Sequence, residues 1–348
     1  MSDPLRVKLL SPLTARYFLH QLPDDQPTWG NCRFSFDPAD DQYNWLVVYE
    51  DLPPRPGMQR DQAVEPLACP PANSLLVTSE PSSIKHYGNT FTRQFGCVLT
   101  SQPAWALPHH DRIFSQPALA WMYGVGTHRV RTFNEMLAHP PTDKTRTLSM
   151  VFSPKRQRHT LHHRRNAFMQ QMMGQLPDMD VYGRGAQSLE DNDKAHALDN
   201  YRYHIAVENH VGLHHWTEKL ADAFLGLTLP FYCGCPNATD YFPADSFIPI
   251  DIRDPEKARQ IISEAIANDE YSRRLPAITE ARRRVLHDYN LFAVLAREIS
   301  QRHPQARTQT TGTSIYSRHA LRKKHPATGL KDVYGKARAR LVHLVRRE

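Results

Sequence analysis

The chain has 348 residues, enough for two cored domains or one large one. Hydrophobic content of 40% and 27 prolines fit a globular protein with many loops, and no window approaches the roughly 18–20 apolar residues that cross a bilayer. The formal charge of +7 is uneven: from Ala306 onward eleven Lys and Arg stand against two acids, so the tail holds +9 and the remainder about −2, which excludes a nucleic-acid recognition pattern outside the tail.

The N-terminal stretch MSDPLRVKLLSPLTARYF lacks a basic segment followed by an apolar run, so no signal peptide is expected. Five cysteines, odd in number and mostly isolated, suit a reducing compartment and a cytoplasmic location. Cys233-x-Cys235 has the wrong spacing for the usual zinc pair and reads as structural. The histidines at 159, 162, 163, 210, 214 and 215 have no carboxylate companions at regular spacing, so no metal is expected.

In chain order, Val7–Leu10 and Trp45–Tyr49 read as short apolar strands around a loop at Pro38-Ala39-Asp40-Asp41. Asp51–Pro71 reads as a long connection. Leu75–Val77 is the next strand and runs into the turn Thr78-Ser79-Glu80-Pro81-Ser82-Ser83. On its own, a carboxylate such as Glu80 in a loop reads as solvated. Phe95–Leu99 and Arg112–Phe114 follow as strands, and Ala138–Lys144, with two consecutive prolines, is the best linker. Short strands separated by connections predict an α/β half with a parallel sheet.

Leu148–Phe152 starts a second set, ending at Ser153-Pro154-Lys155. Thr160–Met173 reads as a helix, with Arg164, Arg165 and histidines on one side and Phe168, Met169 and Met172 on the other. Asp180–Gly185 is strand plus turn. His204–Val207 is a strand ending on Glu208-Asn209. Trp216, Leu220, Ala223 or Phe224, and Leu227 then fall on one face of a helix capped by Thr217. Lys219 sits in that helix's first turn, at the end that carries about half a positive charge. A bound phosphate would reverse the sign of that mismatch, since backbone amides and Lys219 would together hold an anion. Leu229–Cys233 and Phe247–Ile250 are further strands around a loop at Gly234–Asn237. Pro255–Asn268 and Ser272–Ser300 read as amphipathic helices that close the second domain. After a polar run from Gln305 (Thr308–Ser314), Leu330, Val333, Tyr334, Ala337, Leu341, Leu344 and Val345 recur at helical spacing among Lys331, Lys336, Arg338, Arg340, Arg346 and Arg347. Such a basic amphipathic helix suits an anionic membrane surface.

Several of these segments together resemble the alpha-1,3/4-fucosyltransferases of glycosyltransferase family 10. The matching residues are Val207-Glu208-Asn209, Thr217-Glu218-Lys219-Leu220, Gly234-Cys235-Pro236 and Pro243 through Phe247-Ile248, in the family's order and spacing. Arg165 with Phe168, the run Val181-Tyr182-Gly183-Arg184-Gly185, and Ser79-Glu80-Pro81 extend the likeness. The resemblance implies an α/β, GT-B-like fold, two Rossmann-like domains facing across a cleft. The domains would be residues 1–143 on the acceptor side and 144–304 for the nucleotide sugar, followed by the basic tail 305–348. It implies inverting transfer of L-fucose from GDP-fucose to a glycan hydroxyl, in lipopolysaccharide or another surface glycan, with no cofactor and no required metal. Glu80 would be the base, and Arg165 and Lys219 would hold the diphosphate. Glu218 would bond the ribose hydroxyls, and Asn209 and Glu208 would contact the sugar or shape its pocket. Two positions depart from the family's pattern: His210 stands for a serine and His215 for an aromatic, beside Trp216 and Thr217 in the candidate donor pocket. A different GDP-sugar donor is therefore the second reading, and a non-catalytic protein that binds anionic surfaces is the third. The tail would bring the protein to the inner face of the membrane; no nucleic-acid partner is expected.

Overall fold

The structure is a computed structural model and describes residues 3–23, 26–152, 161–303 and 313–346. The turn Ser153-Pro154-Lys155, His159, Thr160 and the polar run from Gln305 to Gly312 lie outside the described residues. In chain order the strands are β1 (Leu5–Leu10), β2 (Thr28–Trp29), β3 (Cys32–Ser35), β4 (Trp45–Tyr49), β5 (Val64–Pro66), β6 (Ser74–Thr78) and β7 (Cys97–Thr100). They continue with β8 (Arg112–Phe114), β9 (Arg146–Phe152), β10 (Asp180–Gly183), β11 (Tyr201–Val207), β12 (Leu229–Cys233), β13 (Ile248–Pro249) and β14 (Ser314–Tyr316). The helices are α1 (Arg16–Leu19), α2 (Asn89–Thr92), α3 (Phe133–Ala138), α4 (His162–Gln175) and α5 (Glu218–Leu225), then α6 (Pro255–Ala267), α7 (Glu270–His287), α8 (Leu291–Arg302), α9 (Arg318–Lys324) and α10 (Pro326–Arg346).

The chain divides into two compact units. The first comprises Met1–Ala15, Gln26–Ala118 and Leu291–Arg347. Its sheet runs β2-β3-β1-β4-β6-β7-β8, parallel throughout except for β2 at the edge. β4 and β6 are buried at every residue, as a parallel sheet covered on both faces requires. A separate antiparallel pair joins β5 to β14, with Ile315 opposite Glu65. The second unit comprises Arg16–Asp25 and Leu119–Asn290. Its sheet, β10-β9-β11-β12-β13, is wholly parallel, with β11 at its centre.

The α/β class with parallel sheets is thus the observed one, but the units differ from the expected boundaries at 143/144 and 304/305. Residues after 118 fold with the second unit because the Met122 and Tyr123 amides donate to the buried Asp222 carboxylate, both at 3.1 Å. Arg282 also donates to the Met136 carbonyl. α8, expected to close the second domain, packs in the first: Phe292 meets Phe34 edge-on at 4.8 Å, and Trp45 Nε1 donates to His303 Nδ1 at 3.2 Å. The tail is no appendage either, since Ile315 and Leu321 sit in a first-unit core cluster with Leu46, Val48, Phe91 and Phe95. The single helix expected over Ser272–Ser300 breaks at Asp288–Asn290. There Asn290 bridges to Leu119 and donates to the Gln21 carbonyl at 2.8 Å.

Candidate functional site

β11 carries the second unit's polar residues to the carboxyl end of its sheet, where open α/β sheets bind ligands. Glu208 is the first residue past the strand, 1% exposed, its amide bonded to the Cys233 carbonyl at 2.8 Å. Its carboxylate accepts from the Thr217 amide at 2.8 Å and the Thr217 hydroxyl at 2.6 Å. Burial raises its pKa, against the pull of Lys219. Thr217 caps α5 as its sequence position predicts, accepting from the Lys219 amide at 3.4 Å. An N-cap hydroxyl contributes about 1 kcal/mol to a helix; here it also ties the helix to β11. Gly234 completes the corner, because a Cβ there would lie 2.4 Å from both Glu208 Cγ and the Tyr232 hydroxyl.

Lys219 has protein partners of its own. Its Nζ lies 3.0 Å from Glu218 Oε1, 3.2 Å from Thr217 Oγ1 and 3.5 Å from Glu208 Oε2. Burial would raise the Glu218 carboxyl, but Lys219 and Lys194 outweigh it and hold it far below its ordinary range. Lys194, from the loop before β11, lies 3.1 Å from Asp222 and 3.5 Å from Glu218. Asp222 is pushed up to about 6 by burial despite Lys194. Arg165 differs from both lysines. It reaches from α4 to donate to Asn209 Oδ1 at 2.7 Å; among the described residues it makes no ion pair, and its buried Nε has no partner. Together Arg165, Lys194, Asn209, Glu218, Lys219 and Asp222 wall a cavity of about 230 Å³. His204, on β11, also lines it, bonded to Ser149 Oγ at 2.9 Å; burial pushes its pKa down to about 3, so it is neutral at pH 7.

The remaining residues singled out from sequence do not line that cavity. His210 and His215 are buried and meet edge-on at 5.4 Å, and burial, then His210 and Lys219, pushes the His215 pKa far down. Trp216 packs into an aromatic cluster with Tyr241, Phe242 and Tyr289. Sequence reading missed Lys194, His204 and Asp222. Asp222 had a signal, standing four residues after Glu218 on one helix face; Lys194, in a single 3₁₀ turn over Lys194–Ala197, had none.

Residues 141–273 match the family model described as Glycosyltransferase family 10 (fucosyltransferase) C-term. That region, about two fifths of the chain, is similar to the C-terminal domain of glycosyltransferase family 10. A curated relative, "Alpha-(1,3)-fucosyltransferase 4" of Bos taurus, is 36% identical over 85 residues, covering 23% of this chain and 21% of that one. The match therefore spans about a fifth of the relative's length. A solved structure titled "Crystal Structure of alpha1,3-Fucosyltransferase" superposes with a TM-score of 0.51 at 16% identity, covering 88% of this chain and 91% of that one. That likeness supports the GT-B-like fold class.

The matched region contains every cavity residue named above, whereas Glu80 falls before it. Glu80 lies in the first unit, exposed, just past β6. Its amide donates to the Tyr87 hydroxyl at 3.3 Å and its carbonyl accepts from Gln102 Nε2 at 2.8 Å. The turn is held from below by Glu50, a non-glycine residue at φ 74°. One Glu50 carboxylate oxygen accepts from the Ser79 amide at 2.6 Å, the Ser79 hydroxyl at 2.7 Å and the Tyr87 hydroxyl at 2.5 Å; the other pairs with Lys85. Burial raises the Glu50 pKa, but Lys85 and the hydroxyl donors bring it below the ordinary value. A depressed carboxyl stabilises the fold above its unfolded pKa of about 4.3 and loses that contribution as pH falls through its folded value. Glu50→Gln is therefore expected to lower stability by about 1–3 kcal/mol at pH 7 and to flatten the acid limb of the melting-temperature profile. An unchanged profile would remove Glu50 from this role.

Proposed function

We propose that the protein is an inverting glycosyltransferase that moves L-fucose from GDP-fucose to a hydroxyl of a glycan. The observation that carries this reading is Arg165, a half-buried residue facing a cavity, with its buried Nε unpartnered and no carboxylate in an ion pair with it among the described residues. A cation drawn partly out of water with no ion-pair partner and an unbonded buried donor favours a bound anion. A diphosphate on Arg165, with Lys219 and the α5 amides beside it, supplies that anion and stabilises the leaving group. Glu218 bonds the ribose hydroxyls, and Asn209 and Glu208 shape the sugar pocket. In the reaction the acceptor oxygen forms a bond to the anomeric carbon, the carbon–phosphate-oxygen bond breaks, GDP leaves, and the acceptor proton passes to Glu80. Arginine and lysine do the work that a metal does elsewhere. The family domain and the relative's printed activity support the fucosyl donor. His210 and His215, which depart from the family's pattern, support a different GDP-sugar as the second reading. Calorimetric titration with GDP, UDP and CDP, followed by hydrolysis assays on GDP-fucose and GDP-mannose, tests both. Selective GDP binding with fucose release supports the first, GDP binding with turnover of the other sugar alone supports the second, and no nucleotide binding overturns both.

We also propose that α10 places the enzyme on an anionic membrane at the inner face. No helix among the described residues is long and apolar enough to cross a membrane. α10 turns Thr328, Ala339 and His343 inward, while Val333, Leu341, Leu344 and Val345 are 63–75% exposed beside Lys336 and Arg340. Large apolar groups outward and small or polar ones inward is the reverse of an ordinary surface helix, and each basic residue near an anionic surface adds about 1 kcal/mol. Sedimentation with phosphatidylglycerol vesicles should capture the protein at low salt and release it at high salt. Leu341→Ser with Leu344→Ser should abolish capture; equal capture by phosphatidylcholine vesicles would refute the idea.

A further inference from the structure

The first unit holds a second cavity, of about 530 Å³, walled by α2, the Trp105–Pro108 loop and α10. It is more than twice the size of the cavity beside Arg165. α10 is fixed against it by specific contacts. His343 Nε2 lies 3.0 Å from Ser82 Oγ, and Arg338 Nη1 donates to the Trp105 carbonyl at 3.4 Å. At Gly335 a Cβ would fall 2.4 Å from His86 Nε2, so a larger residue there would have to displace the His86 ring.

Its lining has a definite chemistry. Trp105 and Tyr334 present aromatic surface, Asn89 and Thr90 present small polar groups, and Arg93, Lys331 and Arg338 present positive charge. The one acid in the lining, Asp332, is already paired with Arg322 at 2.9 Å. Arg93 and Lys331 make no ion pair among the described residues. Concave sites with aromatic walls and a few placed polar groups are ligand sites, and unpaired cations at such a site select an anion. Aromatic faces suit the apolar face of a sugar ring, and the amide and hydroxyl suit its rim.

The cavity is tied to the turn that bears Glu80. Ser82, which holds His343, is two residues beyond Glu80, and His86 on the cavity wall is six beyond. Gln102 Nε2 donates to the carbonyls of both Glu80 and Lys85, at 2.8 and 3.0 Å, pinning the loop between them. Six residues span at most about 20 Å when extended, and this loop is folded back on itself, so an oligosaccharide reaches from one end to the other.

We propose that this cavity is an acceptor subsite for a sugar that carries an anionic group, a carboxylate or a phosphate, several rings away from the hydroxyl presented to Glu80. The proposal rests on the glycosyltransferase reading and names the acceptor class for it. Calorimetry on the full chain would use a hyaluronan tetrasaccharide as the carboxylate probe, lactose 1-phosphate as the phosphate probe and chitotetraose as the neutral control. At least one anionic probe should bind tenfold or more tightly than the control. Binding of the first alone identifies an acidic sugar, and binding of the second alone a phosphorylated one, such as a lipid-linked glycan. Arg93→Ala with Lys331→Ala should weaken that probe about tenfold or more and leave GDP affinity unchanged. Trp105→Ala should weaken it independently and remove the tryptophan fluorescence change on binding. Equal binding of charged and neutral probes, no binding by any, or full binding by the double variant overturns the subsite. Failure of wild-type protein to bind GDP would instead overturn the transferase reading and leave this result standing.

Discussion

Arg165→Ala should reduce GDP affinity by about two orders of magnitude, and Lys219→Ala by only about one. Hydrogen bonds to charged groups contribute about 1.5–3 kcal/mol, or roughly 10- to 150-fold in affinity. Arg165 belongs at the upper end because no carboxylate among the described residues pairs with it: Asn209 takes one nitrogen at 2.7 Å and Nε has no partner. Lys219 belongs at the lower end because Glu218 at 3.0 Å and Glu208 at 3.5 Å already share its charge. A diphosphate gains only what the carboxylates give up. Lys219→Ala carries a second cost, since it takes the neighbouring cation from the buried Glu208 carboxylate and leaves it the Thr217 donors, and removing one partner of a buried charge is strongly destabilising. Isothermal titration with GDP, run beside thermal denaturation of each variant, separates the two effects. If Arg165→Ala binds GDP as tightly as wild type while folded, the diphosphate does not sit there.

Glu80→Gln should cut glycosyl transfer by a factor of about 10²–10⁴, the usual contribution of a general base, with GDP affinity nearly unchanged. The residue is exposed, and its amide and carbonyl are bonded to Tyr87 and Gln102, which hold the turn through the backbone. Single-turnover transfer together with GDP titration reads the outcome. Transfer within twofold of wild type would take the base assignment away from Glu80. Because Glu50 holds the same turn, Glu50→Gln should slow transfer as well and lower the melting temperature.

Much of the second unit was legible because its signals are local. β11 and β12 are buried apolar runs, Thr217 stands where a cap is needed, and Glu208-Asn209 follows directly on the strand. What was not legible depends on distant partners. β5 and β14 have three residues each and exist because they pair with one another from far-separated parts of the sequence. α8 has the periodicity of its neighbour α7, so nothing in the pattern signals that it packs with Phe34 in the other unit. The lysine at 219 shows a subtler limit. Its awkward charge in the first turn suggested an anion, and the structure shows two carboxylates serving it first, which moves the weight of the argument to Arg165.

The division of the first unit into separate stretches of chain bears on how the protein is made. The main run of the second unit, Leu119–Asn290, is continuous and can complete its sheet as it leaves the ribosome, since domains fold as units during synthesis. The first unit must wait, because α8, β14 and α9 are synthesised after the second unit and Ile315 and Leu321 fill its core. Until then β5 is an unpaired edge, open to pairing with another chain. Cutting the chain short before residue 313 to remove the basic helix would make that transient state permanent, and the resulting loss of solubility would be mistaken for a loss of membrane attachment.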